Sequence, residues 1–430
     1  MRNAFRLLVV CMAAVGAFGQ GGVQELRGPQ EASRKRILPS HYTSFPPQPT
    51  PDTLLFNPLT TVTEIPMWTY SVTAGADLGG GTYTGTIIGR SPYLRGKTTT
   101  TIPLQIVPVK VVINNGGSDT HTYDPSVNDG CVPTGHTAVD VVENSPIFTN
   151  TTWTMDGVNV GTTQYHDAFY RASFWSLVGG TSYHLVEQVS VLPEQTLYFG
   201  SVGNAGATLG GGTNVNVATT YGGCGFMGVV NVNNLQTAVN NLLASLSPTV
   251  NVGTLPMIIV DSVVSAETGH SITSSCCVLG FHSGFYNGAN LQVTAIFDLD
   301  YSELFGNNDV TVISHELGEA LFDPTTGNAT PVWGSIGQDS GNCPGGQNNL
   351  EVGDPLSPGY PKVTNEHSSG TNDSNEWVVL AANGLTYHLQ ELALFSWFFG
   401  GTNLGIPGYY SDNGTLQGDA KLCSAGGGTN

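Results

Sequence analysis

The run His315-Glu316-Leu317-Gly318-Glu319 holds the side chains best suited to chemistry in this chain. Residues four apart share one face of a helix, so His315 and Glu319 can aim an imidazole nitrogen and a carboxylate oxygen at one ion. Glu316 projects about 100° round the same helix, where it can take a proton from a water on that ion. The bland alternative is a solvated charged helix face. With this chain's content of His and Glu, on the order of 0.01 H-E-x-x-E matches arise by chance, which favours the metal-binding role.

A third donor has to come from elsewhere. Asp323 lies eight residues after His315, at the expected helix end. Asp339 follows, and then Glu351 and Asp354 in Asn349-Leu350-Glu351-Val352-Gly353-Asp354. Glu351 is the preferred ligand, with Asp323 and Asp354 as alternatives or supporting groups. His282 can approach from a neighbouring strand, although a histidine there more often packs or hydrogen-bonds.

The elements that position these residues are read from periodicity. Leu255 to Val260 reads as a strand, and Phe281 to Tyr286 with Leu291 to Phe297 reads as a hairpin around Asn287-Gly288. A helix then begins near Asn308 or Asp309 and stops at Asp323-Pro324. Val312, Ile313, Leu317, Leu321 and Phe322 bury one side of it, leaving its polar face to a cleft. Upstream, Trp68 to Val72, Tyr83 to Ile88 and Ile102 to Ile113 read as strands, and Thr163 to Leu177 as a helix. Leu235, Val239, Leu242, Leu243 and Leu246 form a helical stripe capped by Asn233 or Asn234, which is core packing. The fold class expected is α+β, with a β-rich lobe over residues 61–250 and a lobe over 251–430 carrying the metal helix.

This order of strand, hairpin and active helix resembles the zincin metallopeptidases. Their helix carries histidine at both ligand positions and glutamate as general base. A distant glutamate as third ligand is the solution of the gluzincin branch. The run from Ile313 to Pro324, then Trp333, then Glu351-Val352-Gly353-Asp354, also resembles the plant EXORDIUM-like, phosphate-induced secreted proteins. Cys277-Val278-Leu279-Gly280-Phe281-His282 is similar to the Cys-Gly-Phe-His stretch of that family. The resemblance covers residues 255–423 and implies a zincin-like helix and a secreted or cell-wall location, without an established reaction. Where that family has a cysteine after E-x-x-D, this chain has Pro355-Leu356.

The second ligand being a carboxylate changes the chemistry. Zn²⁺ held by His315, Glu319 and Glu351 forms a site with no net charge, which lowers the pKa of a bound water less than the usual fall to about 7. Two carboxylates also suit harder ions such as Mn²⁺ or Ca²⁺. The expectation is activity at raised pH or with a metal other than zinc. A pH–rate profile with zinc that is already flat at pH 6 contradicts it.

Composition limits the rest. Only 10% of the 430 residues are charged and the formal charge is −19. After Arg171 the basic side chains are Lys362 and Lys421. Binding a phosphate backbone needs clustered Lys or Arg, so nucleic acid is not an expected partner, and the acidity reads as solubility. Residues 1–19 read as a signal peptide, with Arg2 and Arg6 ahead of an apolar stretch too short for a membrane span of about 20 residues. No later stretch is long and apolar enough to insert in a membrane, and residues 20–60 read as a tether or pro-segment. Cys131, Cys224, Cys276, Cys277, Cys343 and Cys423 are expected to form disulfides in an exported chain. His166-Asp167 is read as surface or core, and Asn150, Asn328, Asn372 and Asn413 are glycosylation sequons. The function expected is a secreted metal-dependent hydrolase, a peptidase acting on a polypeptide, with zinc as first choice of ion. The alternative is a non-catalytic extracellular or cell-wall-associated protein that binds a polymer and holds a structural metal.

Overall fold

The computed structural model describes residues 64–94, 99–155, 157–200, 227–266, 278–287, 290–299, 309–333, 347–356, 377–400, 404–414 and 416. The expected leader and tether, Asp339, Asn372 and every expected disulfide cysteine except Cys131 lie outside them.

The chain folds as α+β with strand predominant, around a seven-stranded mixed sheet. Its spine is the long strand Thr99–Gly116. The first half of that strand pairs in parallel with His184–Val191 on one side and Leu255–Asp261 on the other. The second half pairs with Gln195–Gly200 in parallel and Asp119–Tyr123 in antiparallel. Asn290–Leu299 adds in parallel to Leu255–Asp261, and Gly280–Asn287 closes that edge as an antiparallel hairpin partner.

Both faces of the sheet are covered, which explains why its central strands read as unbroken apolar runs. Every residue of Leu255–Asp261 is buried. Along the spine, Ile102, Leu104 and Ile106 enter one core, while Val107, Val109, Val111 and Ile113 enter the other. The second core is roofed by helix Val232–Ser245 through Leu235, Val239, Leu242 and Leu243. The first, larger core packs against helix Tyr165–Ser173 and helix Thr311–Phe322, which carries the candidate site. The boundary expected at residue 250 therefore runs through one sheet and one core: strands from both parts pair side by side, and the larger cluster extends from Ile65 to Leu416.

Several boundaries differ from expectation for local reasons. The cap of helix Val232–Ser245 is Asn231, whose side chain accepts from the backbone N–H groups of Asn233 and Asn234. A cap must precede the first free N–H groups, so the asparagine two residues before Asn233 serves. The stretch expected as one helix to Leu177 breaks at Phe174 into Tyr165–Ser173 and the short Trp175–Val178. The site helix begins at Thr311 because Asp309 is engaged elsewhere, accepting from the backbone N–H and the ring of His388.

Candidate metal centre

All twelve residues of Thr311–Phe322 are buried, so the helix presents no polar face to an open cleft among the described residues. Among the segments packed against it, three bring polar groups to its ligand residues. The edge strand Gly280–Asn287 lies along one side, the turn around Glu351–Asp354 crosses its ligand face, and strand Leu385–Gln390 runs beside it.

Glycine permits the first two approaches. A Cβ on Gly280 would lie 2.6 Å from a Val312 methyl and 2.7 Å from Glu316 Cγ. One on Gly353 would lie 2.4 Å from His315 Nδ1. Strand alternation then sends Phe281 into one core and His282 to the opposite face, toward the helix.

Six ionisable side chains converge: His282, His315, Glu316, Glu319, Glu351 and Asp354, each between 0% and 4% exposed. His315 Nε2 lies 3.1 Å from Glu319 Oε1 and 3.5 Å from Asp354 Oδ1. His282 Nδ1 lies 3.4 Å from Glu316 Oε2 and 3.5 Å from Glu319 Oε2, and its Nε2 is 3.6 Å from Glu351 Oε2. Ligand atoms of His315, Glu316 and Glu319 form one group compact enough for an ion, and those of His282, Glu319 and Glu351 form another. The helix pair expected from spacing is thus brought together. Glu351 arrives beside His282, while Asp354 is the acid that faces His315.

Hydrogen bonds on the far side of each ring fix which nitrogen faces the acids. His315 Nδ1 is 2.9 Å from the Gln390 side-chain oxygen, and the Gln390 amide nitrogen donates to the Gly353 carbonyl. An amide oxygen only accepts, so Nδ1 carries the proton and Nε2 presents a lone pair. His282 Nε2 is 3.0 Å from the Asp323 carbonyl, so it donates there and Nδ1 presents its lone pair. This outer anchoring is the arrangement that orients metal-ligating histidines.

Asp323 is used differently. Its carboxylate accepts from the N–H groups of Gly327 and Asn328 and holds the turn that ends the helix. Asn328 is itself buried, accepting from Thr86 N–H and donating to the carbonyls of Thr86 and Phe322. It is a structural brace and not a glycan acceptor in this fold. His166 and Asp167 are also interior. His166 Nε2 contacts the Ser314 carbonyl at 2.8 Å, and Asp167 accepts from His184 and the Leu185 N–H. Their placement next to the site helix follows from packing that the dipeptide alone does not signal. Gln390 had no sequence signal at all.

Electrostatically the acids are crowded. Burial first, then their mutual repulsion, raises Glu316 and Glu351 well above the usual carboxylate range. Burial and Asp354 do the same to Glu319, against the opposing bonds from Glu351 and the Gly353 and Asp354 backbone. Burial pushes His282 down to about 3 and lowers His315. Glu316 Oε1 and Glu351 Oε2 are buried without a hydrogen-bond partner among the described residues. Two neutral imidazoles with inward lone pairs, facing orphaned carboxylate oxygens, form a donor set that fits a divalent cation. No family model, no curated protein and no solved structure matches this chain.

Proposed function

We propose that the chain is a secreted metal-dependent hydrolase, a peptidase whose ion sits on the His315–Glu319 side of this centre. The observation that supports it is the pairing of an anchored His315 lone pair with Glu319, next to a Glu316 carboxyl that has one oxygen uncommitted. His315, Glu319 and Asp354 or Glu351 would hold the ion. A bound divalent ion supplies Lewis-acid activation of water and of a substrate carbonyl. Glu316, once a bound cation favours its ionised form, is placed to take a proton from water and deliver it to a leaving amine. Zinc is the first candidate, and the carboxylate-rich donor set also suits Mn²⁺ or Ca²⁺.

The second reading, a structural ion in a non-catalytic extracellular binding protein, is favoured by one observation: every donor is at most 4% exposed. A single experiment separates the two. The metal-loaded full chain and its Glu316→Gln variant are assayed on a broad peptide library. A hydrolase loses at least about 100-fold in turnover, as expected for removing a general base, with its metal content intact. No cleavage by the loaded wild type, together with unfolding on chelation, supports the structural ion. Failure of the wild type to take up any metal on reconstitution sinks both.

A further inference from the structure

We propose that the centre holds two divalent cations bridged by the Glu319 carboxylate, a proposal that rests on the metal-site reading above and goes beyond its single ion. Glu319 directs its two oxygens at two different histidines: Oε1 lies 3.1 Å from His315 Nε2, and Oε2 lies 3.5 Å from His282 Nδ1. Both ring nitrogens present lone pairs, because the other nitrogen of each ring donates outward, to Gln390 and to the Asp323 carbonyl. A lone pair facing a carboxylate oxygen at such distances is repulsive unless a proton or a cation lies between them. The centre has two such gaps, one on each side of Glu319; on the His282 side Nδ1 is also in hydrogen-bond contact with Glu316 Oε2 at 3.4 Å, a place a proton can fill while the centre is empty.

Each gap has its own terminal acid. Asp354 Oδ1 is 3.5 Å from His315 Nε2 on the first side. On the second, Glu351 groups with His282 and Glu319; its Oε2 has no hydrogen-bond partner among the described residues and lies 3.6 Å from His282 Nε2, so it would turn toward the Nδ1 side to reach the ion, while Oε1 accepts from Asn349. Each ion would receive one imidazole, one terminal carboxylate and one oxygen of the shared carboxylate. This is the composition of two-metal hydrolytic sites, whose ions sit about 3.5–4 Å apart. Glu316, with Oε1 buried and unpartnered, lies beside the second gap and stays available as base.

The test uses the metal-free full chain, dialysed to equilibrium against Mn²⁺ at high ionic strength, so that attraction to the acidic surface is screened. Bound metal is counted and the electron paramagnetic resonance spectrum is recorded. The proposal expects two Mn²⁺ per chain with the spectrum of an exchange-coupled pair. His282→Ala should drop the count to one and restore the spectrum of an isolated ion, and Asp354→Asn should do the same from the other side. If one variant does not fold, the other and the wild-type coupling still decide. One uncoupled ion per wild-type chain overturns the bridge and leaves the single-ion reading standing. Two uncoupled ions that survive His282→Ala place the second on the surface and also overturn it. No bound metal removes both readings.

Discussion

Replacing Gln390 by methionine tests whether the metal centre is organised from outside. Gln390 is fully buried, and its side chain holds two partners at once. The side-chain oxygen accepts from His315 Nδ1, and the amide nitrogen donates to the Gly353 carbonyl, which fixes the turn between Glu351 and Asp354. Methionine keeps most of the volume and removes both bonds, stranding one buried N–H and one buried carbonyl. Each stranded group costs about 1–3 kcal/mol, so metal-free stability should fall by about 2–6 kcal/mol, read from urea unfolding. His315 also loses the bond that sets its tautomer. Loss of such an anchor typically weakens metal affinity by about 10–100-fold, read by competition with a chromophoric chelator. Gln390→Glu separates the two bonds, since a carboxylate still accepts from His315 but cannot donate to Gly353. It should retain more metal affinity than the methionine variant while still losing stability. If Gln390→Met unfolds more easily yet binds metal within about threefold of wild type, His315 is not oriented by this bond and the lone-pair argument fails.

Three further outcomes follow from the same geometry. Gly353→Ala places a Cβ within 2.4–2.8 Å of the His315 ring; the turn or the ring must move, and metal affinity should fall at least about tenfold with an overpacking cost of about 1–3 kcal/mol, measured by chelator competition and thermal melting. Glu187 is buried 3.9 Å from His166, and burial raises it to about 8. An acid raised in the folded state stabilises fully below its unfolded value, near 4.5, and loses that contribution as pH rises through 8. Glu187→Gln should therefore be nearly equal to wild type in stability near pH 4.5 and gain on it up to pH 8, by at most about 4–5 kcal/mol; urea midpoints that stay parallel over this range contradict the neutral, buried carboxyl. Asn328→Ala removes the brace between the Thr86 strand and the end of the site helix, and should cost about 2–4 kcal/mol. Folded protein carrying a glycan on Asn328 after expression in a glycosylating host would contradict its burial.

The sequence made the helix and its immediate strands legible because their signals are local. The spacing of His315 and Glu319, the apolar run of Leu255–Asp261, and the strands flanking residues 288 and 289 each lie within about a dozen residues. What escaped was whatever depends on packing at long range. Gln390 lies 75 residues from His315, and nothing in Leu385–Gln390 distinguishes a ring anchor from any polar strand residue. Spacing alone does not rank Glu351 against Asp354, because the turn lays one acid beside each histidine. Reading the helix as amphipathic assumed that polar side chains seek water, and here they face one another. Composition and order along the chain suggest two lobes, whereas strand pairing joins residues from both parts in one sheet.

Composition held a stronger clue than solubility. A buried carboxylate is usually tolerated because a lysine or arginine neutralises it. The acids of this centre come from residues 316–354, a part of the chain with no Lys or Arg between Arg171 and Lys362. Arg171 is the buried basic side chain among the described residues, and it donates to the carbonyls of Val160 and Tyr183, away from the site. No local side chain is therefore available to compensate Glu316, Glu319, Glu351 and Asp354. The centre must hold protons, which the upward shifts of its three glutamates describe, or metal cations, which its inward-facing imidazoles suit. Proton release on metal uptake distinguishes a centre that exchanges one for the other: more than one proton released per chain near neutral pH, measured in weak buffer, is the expected result. Metal uptake without proton release would mean that the carboxylates are already ionised in the empty site, against the burial that the fold imposes on them.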